Sequence, residues 1–377
     1  RGTTATVEAV GAYLCPMATP VALPDIRSLD ADGLRAAVAE LGEKPFRAKQ
    51  LEEWLWTKSA ASFDEMTNLS AAFRAALKER YRIERIRLQE RQISNDRTIK
   101  CAFEVGPHQV VEGVLIPTSK RMTACISSQV GCSLACAFCA TGRLKLLKNL
   151  SAGEIYDQVE MLRAMADEQY GASLTNIVYM GMGEPLLNYR EMMASIDRIC
   201  GTPGLGISPK RITVSTAGIA KAIKRLGDDE VKFNLALSLH AANDEKRNRI
   251  MAINETNNLE VLADALKYFH EKTGTRVTFE YILFKDFNDS LADARELAEF
   301  CRNVPCKINL IEYNPIDDGE FQKTSPERTD VFVEFLERCN LVVNVRRSRG
   351  KDIDAACGQL ANKNEIAASS PRKVNPA

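Results

Sequence analysis

The sequence predicts an α/β chain, a partial barrel of about six βα units behind a small helical module. Three observations predict it. From residue 121 onward, short apolar, β-branched runs alternate with helical stretches, the pattern of parallel strands joined by helical crossovers. These units are too few to close an eight-stranded barrel. Ahead of them, residues 29–90 carry helical apolar spacing.

Bulk composition fits a globular chain of 377 residues, 45% hydrophobic and 27% charged, long enough for one large domain and a smaller one. Fifty basic residues balance fifty acidic ones, so net charge argues neither for nor against nucleic acid. No apolar run approaches the ~20 residues of a membrane-spanning helix, so no membrane partner is expected. Eleven cysteines is an odd number, and Cys101 and Cys306 sit in apolar strand-like runs as reduced thiols do. That usage fits a reducing, cytoplasmic setting, where clustered cysteines mean metal or redox chemistry.

Taken in order, residues 1–24 read as a leader or unstructured extension, with Met17 a candidate natural start. Residues 25–95 read as a helical accessory domain. "SLDADGLRAAVAELG" has a Ser/Asp start and a terminal Gly42, and "PFRAKQLEEWLW" and "SFDEMTNLSAAFRAALKERYRI" follow. Its end is basic, from Arg74 to Lys100, with Glu79, Glu84, Glu90 and Asp96 interspersed. That stretch is either a solvated face laced with ion pairs or a phosphate-contacting surface. "IKCAFEV" and "HQVVEGVLIP" form a hairpin linker over 96–117.

The core follows over 118–352. Its strands are "TACISSQ", "TNIVYMGM", "RITVSTAG", "FNLALSLH", "VTFEYILF", "KINLIEYNP" and "LVVNVRRS", and its helices include 151–168, 189–200, 259–272 and 291–302. Residues 353–377 make a C-terminal segment whose polar tail beyond "GQL" is expected to be disordered. In parallel α/β folds the site lies at the C-terminal ends of the strands. The informative residues fall on that rim: a cysteine loop after the first strand, "GMGEP" after the second, "STAG" after the third, "SLH" after the fourth and "NP" after the sixth.

The cysteine loop reads "GCSLACAFCATG", with Cys132, Cys136 and Cys139 spaced C-x3-C-x2-C. A structural zinc site wants four closed ligands, usually two cysteine pairs, and no second pair lies nearby. Three thiolates suit three corners of a 4Fe–4S cluster, leaving one iron open. Cys357, near the C-terminus in "DIDAACGQL", reads on its own as a buried small residue or a spare cluster ligand; Gly358 and Gln359 beside it suggest an exposed turn, which argues against the first.

C-x3-C-x-aromatic-C, with Phe138 as the aromatic, resembles the radical S-adenosylmethionine (SAM) signature, and the whole series is similar to the RlmN family of RNA methyltransferases. The likeness runs from about residue 25 to 360 through "LGEKPFRAKQ", "VEGVLIP", "SSQVGCSLACAFCATG", "MGMGEPLLN", "SLHAANDEKR" and "DIDAACGQL". It implies a radical-SAM partial barrel that methylates carbon 2 of adenine, in 23S rRNA and in tRNA next to the anticodon. Carbon 2 is electron-poor and cannot attack a methyl sulfonium, so radical chemistry carried by a cofactor is needed.

The resemblance implies further roles, residue by residue. Cys132, Cys136 and Cys139 bind a 4Fe–4S cluster whose open iron takes SAM. Gly183, Glu184, Ser215, Ser238, Leu239, His240 and Asn314 contact SAM. Cys357 is methylated by one SAM and carries the carbon to the base, while a second SAM yields the radical. Cys125 forms the transient disulfide that releases the product, although on its own it reads as a buried strand thiol. Glu112 is the proton acceptor, although an acidic residue in a strand more often faces water. A flavodoxin-type reductase as electron donor, RNA as partner and a monomeric enzyme complete the expectation. The basic stretch 74–100, with Arg143, Lys145, Lys148, Arg346, Arg347 and Arg349, then reads as an RNA track. Two rivals stay open. One is an enzyme of the Cfr type acting on carbon 8; the other is a non-catalytic iron–sulfur RNA-binding protein, which would have no use for Cys125 or Cys357.

Overall fold

A computed structural model describes residues 23–363. Residues 1–22, with Met17, and residues 364–377 lie outside the described residues, and so do the leader and tail expected there.

Helix α1 (Ala31–Glu40) starts at Asp30, whose carboxylate accepts the Gly33 N–H at 2.8 Å. Helix α2 (Phe46–Glu52) runs on into a π-helical turn to Thr57, and α3 (Ala71–Arg80) is capped by the Ser70 hydroxyl. Their apolar faces, with Leu34, Val38, Leu51, Phe73 and Leu77, enter the same core as the sheet. A buried ion pair fastens this module to the rest. Arg27 donates to both carboxylate oxygens of Asp157 at 2.9 Å and lies 5.0 Å over the Trp56 ring.

The chain then enters a ten-stranded sheet. Strands β1 (Arg87–Ile93), β2 (Ile99–Gly106) and β3 (Gln109–Pro117) form an antiparallel meander that pairs on through β3 with β4 (Met122–Ile126). The short strands β5 (Gln129–Val130) and β6 (Lys148–Asn149) pair with each other and close the base of the cysteine loop. Helix α4 (Ala152–Tyr170) opens with a Ser151–Glu154 capping box and is followed by β7 (Asn176–Tyr179) and α5 (Tyr189–Cys200). Next come β8 (Ile212–Thr216), α6 (Ala220–Asp228), β9 (Asn234–Ser238), α7 (Asp244–Ile250) and α8 (Leu259–Thr273). Strand β10 (Val277–Leu283), α9 (Leu291–Phe300), β11 (Cys306–Glu312), α10 (Pro326–Arg338) and β12 (Val343–Arg346) end the core. The order is β1-β2-β3-β4-β7-β8-β9-β10-β11-β12, parallel from β4 onward. β10 lies deep in the sheet, and every one of its residues is buried.

Three features differ from the sequence expectation. Residues 87–93, expected with the helical module, form an edge strand. Its "RLQERQI" is exposed on both faces, so it lacks the apolar alternation that marks a strand. The 96–117 hairpin is part of the main sheet rather than a linker, because β3 pairs with β4. Much of the basic stretch is neutralised at home: Lys78 pairs with Asp64, Arg85 with Asp157 and Glu160, Arg87 with Glu104 and Lys100 with Glu112. For those cations the ion-paired reading holds.

Beyond β12 the chain crosses the open side of the barrel to the β1–β2 turn. There Asp96 accepts the Gly350 N–H at 3.0 Å and pairs with Arg349, while Asp352 accepts the Asn95 N–H at 3.0 Å. This strap delivers residues 355–362 across the strand ends.

Candidate active site

A cavity of about 230 Å³ opens at the C-terminal ends of the parallel strands. Its walls bring together Cys132, Cys136, Cys139, Cys125, Cys357, Gly183, Glu184, Ser215, Ser238 and His240. Leu239, Asn314 and Glu112, singled out in the sequence, do not line it.

The cysteine loop is held by one internal bond and by three to its surroundings. The Cys132 N–H reaches the Leu144 carbonyl at 3.3 Å, and the Cys139 N–H that of Cys136 at 3.1 Å. The Ala137 N–H reaches Ile250 at the end of α7 at 3.0 Å, and the Ala140 N–H reaches Gly358 at 2.8 Å. A side chain at Gly142 would meet the Cys136 backbone at 2.9 Å, so this close fold of the loop needs a glycine there. All three thiols are half-buried, and burial above all raises their pKa values, Cys132 to about 11; the neighbouring cysteines add to the rise at Cys132 and Cys136, and Cys357 adds to it at Cys139. Among the described residues no three such side chains close on a single-ion centre, whereas each thiolate of a 4Fe–4S cluster holds its own iron. The donor set, with cation charge needed beside three repelling thiols, fits such a cluster.

Glu184 follows β7 and is buried. Its carboxylate accepts the Leu186 N–H at 2.9 Å and the Ala217 N–H at 2.7 Å, and its own N–H donates to Gln129 at 2.8 Å. Burial outweighs these bonds and lifts its pKa to about 7. Gly183 has φ +94° and its absent Cβ would stand 2.5 Å from that of Gln129. The hydroxyls of Ser215 and Ser238 lie 3.4 Å apart.

His240 receives the Ile282 N–H on Nδ1 at 3.1 Å, which leaves the proton on Nε2. Burial, then the nearby Arg247, pushes its pKa down to about 3, so it is a neutral donor and not a base. Phe138, the aromatic of the cysteine motif, packs edge-on against it at 4.7 Å. Leu239 is fully buried and contributes backbone, its N–H donating to the Glu280 carbonyl at 3.0 Å. Asn314 holds the Cys357 carbonyl at 3.2 Å.

Cys125 on β4 is buried, and burial followed by the proximity of Cys357 raises it to about 12, against the opposing charge of Arg346. Cys357 faces the open cavity and is exposed, yet the surrounding walls raise its thiol too, and Arg346 again opposes. Both thiols are free. Glu112, by contrast, is turned to the C-terminal segment. It accepts the Ala361 and Asn362 N–H groups at 2.8 and 3.2 Å, with Lys100 at 3.6 Å. Ala361 and Asn362, expected in a disordered tail, are thereby fixed.

Sequence reasoning missed Glu280 and the placement of Arg346. They form an ion pair at 3.2 Å on the cavity wall, with Asn309 donating to Glu280 at 2.7 Å. A carboxylate inside the otherwise apolar run "VTFEYILF" is the signal that points to Glu280. Arg346, first read as an RNA contact, faces the two cysteines.

A parallel partial barrel with a three-cysteine loop after its first parallel strand defines a radical SAM enzyme, and residues 126–301 match the model of the Radical SAM superfamily. Residues 24–83 match the model of the Ribosomal RNA large subunit methyltransferase N-terminal domain. The probable dual-specificity RNA methyltransferase RlmN of Cytophaga hutchinsonii is 54% identical over 93% of this chain and 97% of its own. The dual-specificity RNA methyltransferase RlmN of Anaeromyxobacter sp. is 43% identical over 95% of each. A radical SAM methyltransferase from Sphaerobacter thermophilus superposes with a TM-score of 0.84 at 39% identity, covering 89% of this chain and 99% of that one. The chain belongs to the RlmN family of dual-specificity RNA methyltransferases. Membership of the superfamily implies a 4Fe–4S cluster and SAM. No helix among the described residues is long and apolar enough to cross a membrane.

Proposed function

We propose that this chain methylates carbon 2 of adenine in large-subunit ribosomal RNA and in tRNA beside the anticodon, with Cys357 as the methyl carrier. The observation that carries the reading is the meeting of Cys357 and Cys125, far apart in sequence, in the cavity that also holds the cysteine triplet. A protein that merely bound RNA through a cluster would have no use for that pair.

In this reading Cys132, Cys136 and Cys139 hold the cluster. When bound, the cluster supplies the electron that cleaves SAM to a 5′-deoxyadenosyl radical. Glu184 accepts the SAM ammonium, and Gly183 lets the backbone approach it. Ser215, Ser238 and the Nε2–H of neutral His240 offer hydrogen bonds to its polar edges, with Leu239 and Asn314 shaping the backbone around them. Cys357 loses its proton and attacks the methyl carbon, whose bond to the sulfonium breaks. Cys125, as thiolate, then attacks the Cys357 sulfur of the covalent adduct with the base: the disulfide forms as the Cys357 S–C bond breaks, and the carbon leaves with the electron pair and takes up a proton to become the methyl group. Glu112 accepts the proton from the base, which requires residues 361–362 to release its carboxylate first. A flavodoxin-type donor, a monomeric enzyme and a cytoplasmic site of action complete the reading.

Its test is nucleoside mass spectrometry after incubating anaerobically reconstituted protein with methyl-labelled SAM, a reductant and rRNA fragments or tRNA. Labelled 2-methyladenosine from the native chain, and none from Cys357→Ala, is the expected result. 8-Methyladenosine would move the chain to the Cfr chemistry, and RNA binding without methylation would leave only the binding reading.

A further inference from the structure

Arg247, on α7, is fully buried, and each of its hydrogen bonds goes to a neutral acceptor. Nε donates to the Leu239 carbonyl at 3.1 Å and Nη1 to the Asn254 side chain at 2.7 Å. Nη2 donates to the carbonyls of Ala217 at 2.6 Å and Ser238 at 3.3 Å. No carboxylate meets it among the described residues. Burial lowers its pKa to about 10, which still leaves it cationic at neutral pH. Carbonyl dipoles satisfy its donors but do not cancel its charge, and an unpaired buried cation is costly. Neutral His240 beside it offers no compensation.

The helix that carries it ends against the cysteine loop. Cys136 and Asp244 are the ionisable groups that act on Arg247 most strongly, Cys136 first. α7 is itself bonded to that loop, since the Ile250 carbonyl accepts the Ala137 N–H at 3.0 Å between two of the cysteines. Asp244 is committed elsewhere, taking the Leu259 N–H at 3.0 Å and the Asn254 amide at 2.8 Å. A cluster on three thiolates carries one negative charge when oxidised and two when reduced.

We propose that Arg247 is the fixed counter-charge of the cluster, a positioning residue that favours its reduced form while locking the backbone of Ala217, Ser238 and Leu239 beneath SAM. The inference rests on the reading that Cys132, Cys136 and Cys139 hold the cluster. Reduction adds one electron from an external low-potential donor and no proton. The extra negative charge arises next to a guanidinium that cannot swing away, because four acceptors pin it. The same residue ties Glu184 to the strand ends, since Ala217 gives its N–H to Glu184 and its carbonyl to Arg247.

The test uses the full chain reconstituted with iron and sulfide, without RNA, and reads iron content and the midpoint potential by an electron paramagnetic resonance titration with dithionite. Arg247→Met is expected to lower the reduced-to-oxidised ratio at a given potential about tenfold, a shift of about 59 mV to more negative values. Arg247→Lys, which keeps the charge but not the fan of hydrogen bonds, is expected to stay near the native midpoint. A native midpoint in Arg247→Met, or equal shifts in both variants, overturns the proposal, the second outcome leaving only a structural role. If Arg247→Met does not hold iron, Arg247→Lys decides alone: a native midpoint supports the counter-charge and a shifted one overturns it. Failure of the native chain to take up a cluster would instead overturn the reading on which the inference rests.

Discussion

Glu112 and Ala361, 249 residues apart, meet at 2.8 Å, the carboxylate accepting the backbone N–H. With Asn362 taking the same oxygen at 3.2 Å, this one side chain anchors the segment that begins just after Cys357. The contact joins the antiparallel meander to the segment that follows Cys357.

Replacing Glu112 by Ala removes an acceptor for two N–H groups and the partner of Lys100. Bonds to a charged acceptor are worth about 1.5–3 kcal/mol each. Trypsin cleavage after Lys351 and Lys363, followed by mass spectrometry, should accelerate at least tenfold in Glu112→Ala while the barrel stays resistant. Cleavage at the native rate would mean the segment is held by its other bonds, such as Thr141 to the Leu360 carbonyl at 2.6 Å.

The Arg27–Asp157 pair is a buried polar link between the helical module and the core, with side chains 2% and 1% exposed. Asp157→Ala leaves a buried guanidinium uncompensated, for an expected loss of about 3–5 kcal/mol in urea unfolding. The double variant Arg27→Met/Asp157→Leu should recover most of that loss. A double variant as unstable as the single one would locate the cost in packing rather than charge.

Gly183→Ala puts a methyl group where Gln129 already stands, at a φ of +94°. Overpacking and backbone strain together should cost about 1–3 kcal/mol. Because Gln129 also holds the Glu184 N–H, SAM affinity should fall about tenfold or more by calorimetry. Unchanged affinity would show that the Gln129 side chain can move aside.

Glu184 has a pKa of about 7 in the ligand-free protein, raised by burial. If the proposed reading holds and its carboxylate accepts the SAM ammonium, SAM affinity should weaken up to tenfold per pH unit below about 7 and level off above it. Glu184→Gln should bind more weakly and without that pH dependence. The sign for stability is the opposite. A carboxyl group whose folded pKa is raised contributes stability that is present at low pH and lost as pH rises through about 7. Without SAM, the native fold should therefore gain stability from pH 8 to 6 relative to Glu184→Gln, by thermal unfolding. An equal pH response in both proteins would remove Glu184 from either role.

Much of this protein was legible in its amino-acid order. Parallel strands could be read because each must be apolar over a short run to be covered on both faces, as "VTFEYIL" is. The cysteine loop could be read because its three thiols come from one loop, where spacing is geometry. Strand β1 escaped because it is an exposed edge with no buried face.

What only the tertiary structure decided was which distant groups meet. Arg247 finds its acceptors on Ala217, Ser238 and Leu239, and these are carbonyls that every residue has, so no side-chain pattern announces them. Arg346 meets Glu280 across 66 residues, and Glu112 meets Ala361 across 249. Local chemistry, such as a thiol triplet or a strand's apolar run, is written in neighbouring residues. Burial, which raised Glu184, lowered His240 and isolated the charge of Arg247, exists only once the whole chain has packed around them.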